Sequence, residues 1–247
     1  MTMIALRMFA AMALPALALL ALGHGPPARA AERVGLLLVL AADTSSSVNE
    51  PEFQLQRKGH AAALADPRVI SAIRATPGGR IAVAYVEWSG PWTQKLVVDW
   101  TLVDGLAAGR RLGARIAAAP RAFSKRSTSI GDAIDFSAAQ FGRAPFQAPR
   151  RVIDISGDGD SNTGRPVAAA RDAAIARGIT VNGLVIRGPA KAAERHAHSN
   201  PPGGLARYYR RNVIGGPGAF VLEAEDHRSF GSALVRKLVR EIALSRP

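Results

Sequence analysis

Apolar and polar positions along the chain switch repeatedly between a two-residue and a helical period. Residues 33–43, RVGLLLVLAAD, are an unbroken apolar run that ends in an aspartate, the pattern of a strand covered by helices on both faces. Asn49, Glu50 and Pro51 then open a helix through EFQLQRKGHAAALA, since proline is well tolerated in a first helical turn. RVISAIRA predicts a second short helix, stopped by TPGG. RIAVAYVEW and QKLVVDWTLV read as strands joined by SGPWT, a connection short enough for a hairpin and hence for an antiparallel edge. DGLAAGRRLGARIAAA and SIGDAIDFSAAQF read as helices, each opened by a capping-type residue. RRVIDIS is a further strand, RPVAAARDAAIARG a helix with a glycine stop, and ITVNGLVIR a strand.

The last third is less regular. GPAKAAERHAHSNPPGG reads as a loop or insertion, LARYYRRNVI as a helix, GAFVLEAE as a strand and HRSFGSALVRKLVREIAL as a closing amphipathic helix. In that helix Phe230, Leu234, Leu238 and Ile242 recur on one face with Arg and Lys opposite. Packing on a sheet requires this periodicity, so the helix is expected to face the core rather than a membrane surface. Strands alternating with helices predict an α/β, doubly wound (Rossmann-like), mostly parallel sheet with one antiparallel edge strand and helices on both faces.

The first 30 residues change the picture of the mature chain. A short basic start, an apolar stretch and GPPARA, with small residues at Ala28 and Ala30, predict a removed secretory signal at residues 1–30. Pro15 interrupts an apolar run of about 16 residues, short of the roughly 20 a membrane span needs. Removal takes away Arg7 and Arg29 and no acid, so the net charge falls from +13 to +11 over the 217 residues 31–247, a length that fits one domain. A periplasmic or secreted location follows, without stable membrane insertion. The chain has no cysteine, which excludes disulfide staples and thiolate metal sites and leaves stability to the apolar core. The basic balance suits acidic partners, but the Arg residues are scattered with little aromatic interleaving, so a solvated basic surface accounts for it and no nucleic-acid partner is expected.

Ligand crevices of doubly wound sheets lie beyond the carboxyl ends of the strands. Two predicted strands carry an aspartate there, Asp43 and Asp158, and Ser45, Ser47 and Thr128 lie in nearby loops. Carboxylates and hydroxyls without His or Cys make a hard, all-oxygen donor set that suits a divalent cation such as Mg²⁺. The spacing of Asp43, Ser45 and Ser47 lets alternate residues of an extended segment point the same way.

DTSSS, STSIGDAI and ISGDGDSN resemble, in order and separation, the three pieces of the metal-ion-dependent adhesion site of von Willebrand factor type A domains, over about residues 33–188. The tail YYRRNVIGGPGAFVLEAED and FGSALVRKLVREI is similar to an exported bacterial branch of that superfamily, the DUF1194 type, described only as a domain of unknown function. The resemblance implies a von Willebrand factor A-like domain over residues 31–247. It implies that Ser45, Ser47 and Thr128 supply hydroxyl ligands to Mg²⁺, Mn²⁺ or Ca²⁺, and that Asp43 and Asp158 hold the ion directly or through water. It also implies an open coordination position that an exposed Asp or Glu of a protein partner fills. Ser46 stands where relatives often have glycine, and SGDG replaces the commoner TDG while keeping the aspartate.

Other patterns carry less. GDSN at 159–162 resembles the nucleophile block of GDS-type serine esterases, which would pair Ser161 with Asp226 or His227. In that family the block follows the first strand and the aspartate precedes the histidine by three residues; here the block is mid-chain and Asp226 adjoins His227. No nucleophile and base pair emerges, so the chain is not expected to be an enzyme. Asp158, Asp160 and Asn162 alternate as in a calcium loop, but Thr163 and Ala169 replace the required glycine and glutamate, which excludes an EF-hand. His196 and His198 read as surface polar residues rather than zinc ligands. Asp154 within RVIDIS is a possible buried acid with no assigned role.

Overall fold

The computed structural model describes residues 31–124, 127–187 and 201–244. Its strands are β1 (Glu32–Arg33), β2 (Leu37–Asp43), β3 (Ile81–Trp88), β4 (Gln94–Val103), β5 (Phe146–Gln147), β6 (Arg151–Gly157), β7 (Ile179–Ile186) and β8 (Val221–Ala224). Its helices are α1 (Glu50–Leu64), α2 (Pro67–Arg74), α3 (Leu106–Ala118), α4 (Ile130–Gln140), α5 (Val167–Ala176), α6 (Leu205–Tyr208) and α7 (Phe230–Ala243). Six strands form one sheet in the order β4-β3-β2-β6-β7-β8, parallel except for the antiparallel β3–β4 edge. The chain therefore has the doubly wound α/β fold that the alternating periods predict.

Side chains of β2 alternate between two apolar layers. Leu38, Leu40 and Ala42 pack with Leu64 of α1, Ile73 of α2, Leu112 of α3 and Leu238 of α7. Leu37, Val39 and Ala41 pack on the other face with Ile134 of α4, Ala170 of α5 and Tyr209 beyond α6. Local chemistry starts the helices cleanly. Asn49 caps α1 by accepting from Glu52 N–H at 3.0 Å while the Glu52 side chain accepts from Asn49 N–H, the reciprocal box that satisfies two orphan donors. Ser129 caps α4, whereas α3 starts at Gly105 without a side-chain cap, so the expected capping residue holds for α4 alone of that pair.

The apolar run 33–43 is not one strand. Glu32–Arg33 pairs with β5 in a separate two-stranded ladder, and the main strand begins at Leu37. Between them Val34 N–H donates to Gln147 O and Gly35 N–H to Arg80 O, both at 2.9 Å, so the backbone changes partners there.

The closing helix faces the core as its periodicity predicts. Phe230, Leu234, Leu238 and Ile242 are all buried, each stabilising the fold by about 1.5–3 kcal/mol. Its cations are not all opposite. Lys237 and Glu241 are fully buried, with Lys237 Nζ 2.6 Å from Asp154 Oδ1 and 2.5 Å from Glu241 Oε1. Asn182 Nδ2 donates to Glu241 Oε1 at 2.9 Å. Asp154, the acid inside β6, is thus one end of an ion-paired cluster between sheet and helix.

Candidate metal centre

β2 ends at Asp43 and its parallel neighbour β6 ends at Gly157, one residue before Asp158. Ala42 pairs with Ser156, so the two strand ends that carry the carboxylates emerge side by side. The loop after β2 is then folded back by its own polar atoms. Thr44 N–H donates to Trp88 O of β3 at 2.8 Å, and Ser45 N–H donates to Asp43 Oδ1 at 2.7 Å, a local turn of the kind aspartate favours. Ser45 Oγ lies 3.0 Å from Ser47 Oγ, and Ser47 Oγ donates to Asp158 Oδ1 at 2.7 Å. A run of hydrogen bonds, its first link the Ser45 N–H and the rest between side-chain oxygens, therefore joins Asp43, Ser45, Ser47 and Asp158.

Thr128 is tied by backbone bonds to the loop that follows Asp158. Its N–H donates to Asn162 Oδ1 at 2.9 Å, and its carbonyl accepts from Asn162 N–H at 3.0 Å and Ser161 Oγ at 3.3 Å. The same segment is tied to the end of β3, because Ser129 N–H donates to Ser89 O at 2.8 Å and Ser89 Oγ to Ser127 O at 3.0 Å. Thr128 is buried and stands just before α4, knitted to the loop that follows Asp158.

Electrostatics single out Asp43. It is fully buried, and its Oδ2 has no hydrogen-bond partner among the described residues. Burial, then the charge of Asp158, pushes its carboxyl up to about 8, against the opposing effect of the Ser45 hydrogen bonds and Arg121. Two carboxylates held this close disfavour one another's ionised form, and a cation between them would reverse that effect. The donor set fits a hard divalent ion: two carboxylates and hydroxyls, with an unpartnered buried oxygen among them. Among the described residues no three His, Cys, Asp or Glu side chains gather to hold a metal.

Arg121 was not legible in the sequence. Its Nη2 donates to Thr44 O, Ser45 O and Val48 O at 2.9, 3.1 and 2.7 Å, and its guanidinium lies 4.8 Å from the Phe53 ring centre. One side chain thereby pins three carbonyls of the serine loop. Nothing in PRAFSK marks it, because the contact spans more than 70 residues.

The rival patterns are used otherwise. Ser161 Oγ accepts from Ile130 N–H at 3.1 Å and donates toward Thr128 O and Thr163 O. Asp226 Oδ1 accepts from Ser229 N–H at 2.7 Å, and His227 Nδ1 lies 3.6 Å from Glu52 Oε1. His196 and His198 lie outside the described residues.

The sheet order is the doubly wound arrangement expected of a von Willebrand factor type A-like fold. The chain belongs to the family described as "Protein of unknown function (DUF1194)", whose model matches residues 33–246. No curated protein matches the sequence. Among solved structures, the proximal thread matrix protein 1 of the mussel byssus, in a form with a zinc-occupied MIDAS motif, is 17% identical with a TM-score of 0.59, covering 86% of this chain and 48% of that one. BatB from Bacteroides thetaiotaomicron is 16% identical with a TM-score of 0.54, over 85% and 99% of the two chains. The pilus adhesin SpaC from Lactobacillus rhamnosus GG is 11% identical with a TM-score of 0.58, over 86% and 31%. The chain thus spans about half the length of the mussel protein, and these similarities establish a shared fold. Among the described residues no helix is long and apolar enough to cross a membrane.

Proposed function

We propose that this chain is an exported, divalent-cation-dependent protein-binding module. Residues 1–30 act as a removed secretory signal, and residues 31–247 work as one domain in the periplasm or outside the cell. Asp43, Ser45, Ser47, Thr128 and Asp158 would hold the ion, with Mg²⁺, Mn²⁺ and Ca²⁺ as the candidates. The observation that carries the reading is the run of hydrogen bonds from Asp43 to Asp158, with Asp43 Oδ2 buried and without a partner among the described residues. The zinc-occupied MIDAS motif of the mussel protein and the adhesin similarity support it.

When bound, the ion supplies a Lewis-acidic position for a carboxylate of a protein partner. The chain's own residues do the rest. Ser47 holds Asp158 in place, Arg121 fixes the serine loop, and the Asn162 contacts keep the Thr128 segment beside the loop after β6. A partner Asp or Glu would gain strength from being a charged ligand in a partly desolvated crevice. No reaction is assigned to the site.

Calorimetric titration of wild type and Asp43→Ala with Mg²⁺ and Mn²⁺ tests the proposal. Binding by wild type and none by the variant is expected. Equal binding by both removes the site from Asp43.

A further inference from the structure

Tyr209 reaches the candidate site from a part of the chain that none of the three motif segments includes. It opens the π-helical turn Tyr209–Val213 that continues α6, and it is fully buried. Its ring lies on the sheet where two side chains are missing. A Cβ on Gly183 of β7 would come 2.7 Å from the ring's Cδ1, and one on Gly157 of β6 would come 2.8 Å from the hydroxyl. Gly183 pairs with Ile155, and Gly157 with Val185, so the two glycines share one face of the ladder, two residues apart. Together they leave a groove for one aromatic ring running toward the end of β6.

That groove ends at the metal centre. The same Cβ on Gly157 would come 3.2 Å from Asp43 Oδ2, so the phenol oxygen and this carboxylate oxygen flank one point above Gly157. Both atoms are buried and have no hydrogen-bond partner among the described residues. A buried unpaired polar group costs about 1–3 kcal/mol, yet here a donor and an acceptor are held facing the same spot. The preceding residue serves the adjoining loop, since Tyr208 Oη accepts from Ser161 N–H at 3.2 Å. π-helical turns recur where function requires a local departure from regular helix, and this one presents consecutive tyrosines to two loops of the site.

We propose that Tyr209 is a positioning residue of the cation site, whose hydroxyl donates to Asp43 Oδ2 directly or through one water and holds that carboxylate toward the ion. The proposal rests on the cation-binding reading above. A tyrosine hydroxyl suits this task because it donates to the carboxylate without adding a like charge. Gly157 is required for the same reason: any side chain there would stand between the two oxygens.

Tyr209→Phe removes one oxygen and keeps the ring between the glycines. Wild type and this variant are titrated with Mn²⁺ by calorimetry, and tyrosine near-UV difference spectra are recorded at each addition with Mg²⁺. The variant is expected to bind Mn²⁺ about 10-fold more weakly, the lower end of the effect of removing a group that orients a ligand. It is also expected to lose the tyrosine signal that wild type gives on cation addition. Equal Mn²⁺ affinity in the two proteins overturns the proposal and leaves the cation reading standing. Weaker binding with an unchanged tyrosine signal overturns it as well. No Mn²⁺ binding by wild type overturns the cation reading and this inference with it.

Discussion

Asparagine at position 43 would keep the shape of the side chain and delete its charge. Asp43 is fully buried, with Oδ1 accepting from Ser45 N–H and Oδ2 unpartnered. Its pKa stands at about 8, against an ordinary 3.8, because of burial first and Asp158 second. The folded protein therefore keeps a proton that the unfolded chain releases. This contribution to stability is complete below about pH 4 and is lost as pH rises through about 8. At about 1.4 kcal/mol per pH unit the loss approaches about 6 kcal/mol by pH 8. Against it, the asparagine amide places an N–H₂ group where Oδ2 has no partner, at a cost of about 1–3 kcal/mol. In chelator, Asp43→Asn should thus be more stable than wild type by about 3 kcal/mol at pH 8 and less stable near pH 4. Urea unfolding followed by circular dichroism at pH 4, 6 and 8 measures the crossing. Mg²⁺ at about 100 times its dissociation constant should then stabilise wild type by about 2.7 kcal/mol and leave the variant unchanged. If Asp43→Asn is the less stable protein at pH 8 in chelator, Asp43 is a turn-forming carboxylate kept for its bond from Ser45, and the energetic case for a cation fails.

Three further outcomes follow from buried groups. His60 is held neutral by burial, with its pKa lowered from 6.5 to about 4 despite the hydrogen bond to Gln56 O and with Arg57 and Lys237 acting in the same direction as burial. The unfolded chain takes up the proton first, so its stabilising effect is complete above pH 6.5 and is lost as pH falls to about 4, by about 3 kcal/mol at about 1.4 kcal/mol per pH unit. The stability difference between wild type and His60→Leu, measured by urea unfolding across that window, should shrink by this amount toward pH 4; the opposing titration of Asp154, raised to about 7, is common to both proteins and cancels. Lys237→Met should cost about 3–5 kcal/mol by leaving Asp154 and Glu241 uncompensated, and adding Asp154→Asn and Glu241→Gln should recover part of it in the same assay. Gly157→Ala should abolish Mn²⁺ binding in calorimetry and destabilise by about 1–3 kcal/mol, since the methyl would lie 2.8 Å from Tyr209 Oη.

Local pattern made most of the fold legible. Strands buried on both faces are mostly apolar, so β2 stands out and β6 and β7 do so despite Asp154 and Asn182, and the short SGPWT connection marks β4 as an antiparallel edge. Asn49 and Ser129 announce their helices because a cap is a contact within three residues. Position in the sheet was only a condition in the sequence, since Asp43 and Asp158 share a rim only if β2 and β6 are neighbours, and the structure meets it. What stayed hidden depends on contacts between distant segments. Lys237 looks like a solvent-facing cation until Asp154 of β6 is placed beneath it. Arg121 has no helical period to betray it, and Tyr209 reads as one more apolar position of a helix. The break at Gly35 was lost inside an apolar run because a change of backbone partner leaves no trace in hydropathy.

Ser47 and Asp158 meet across 111 positions of chain, and they meet only where β2 and β6 have already zipped together. The crevice therefore exists only in chains that have joined those two strands. Whatever settles there favours the paired state over the open chain by mass action, and so acts as a latch on the centre of the sheet.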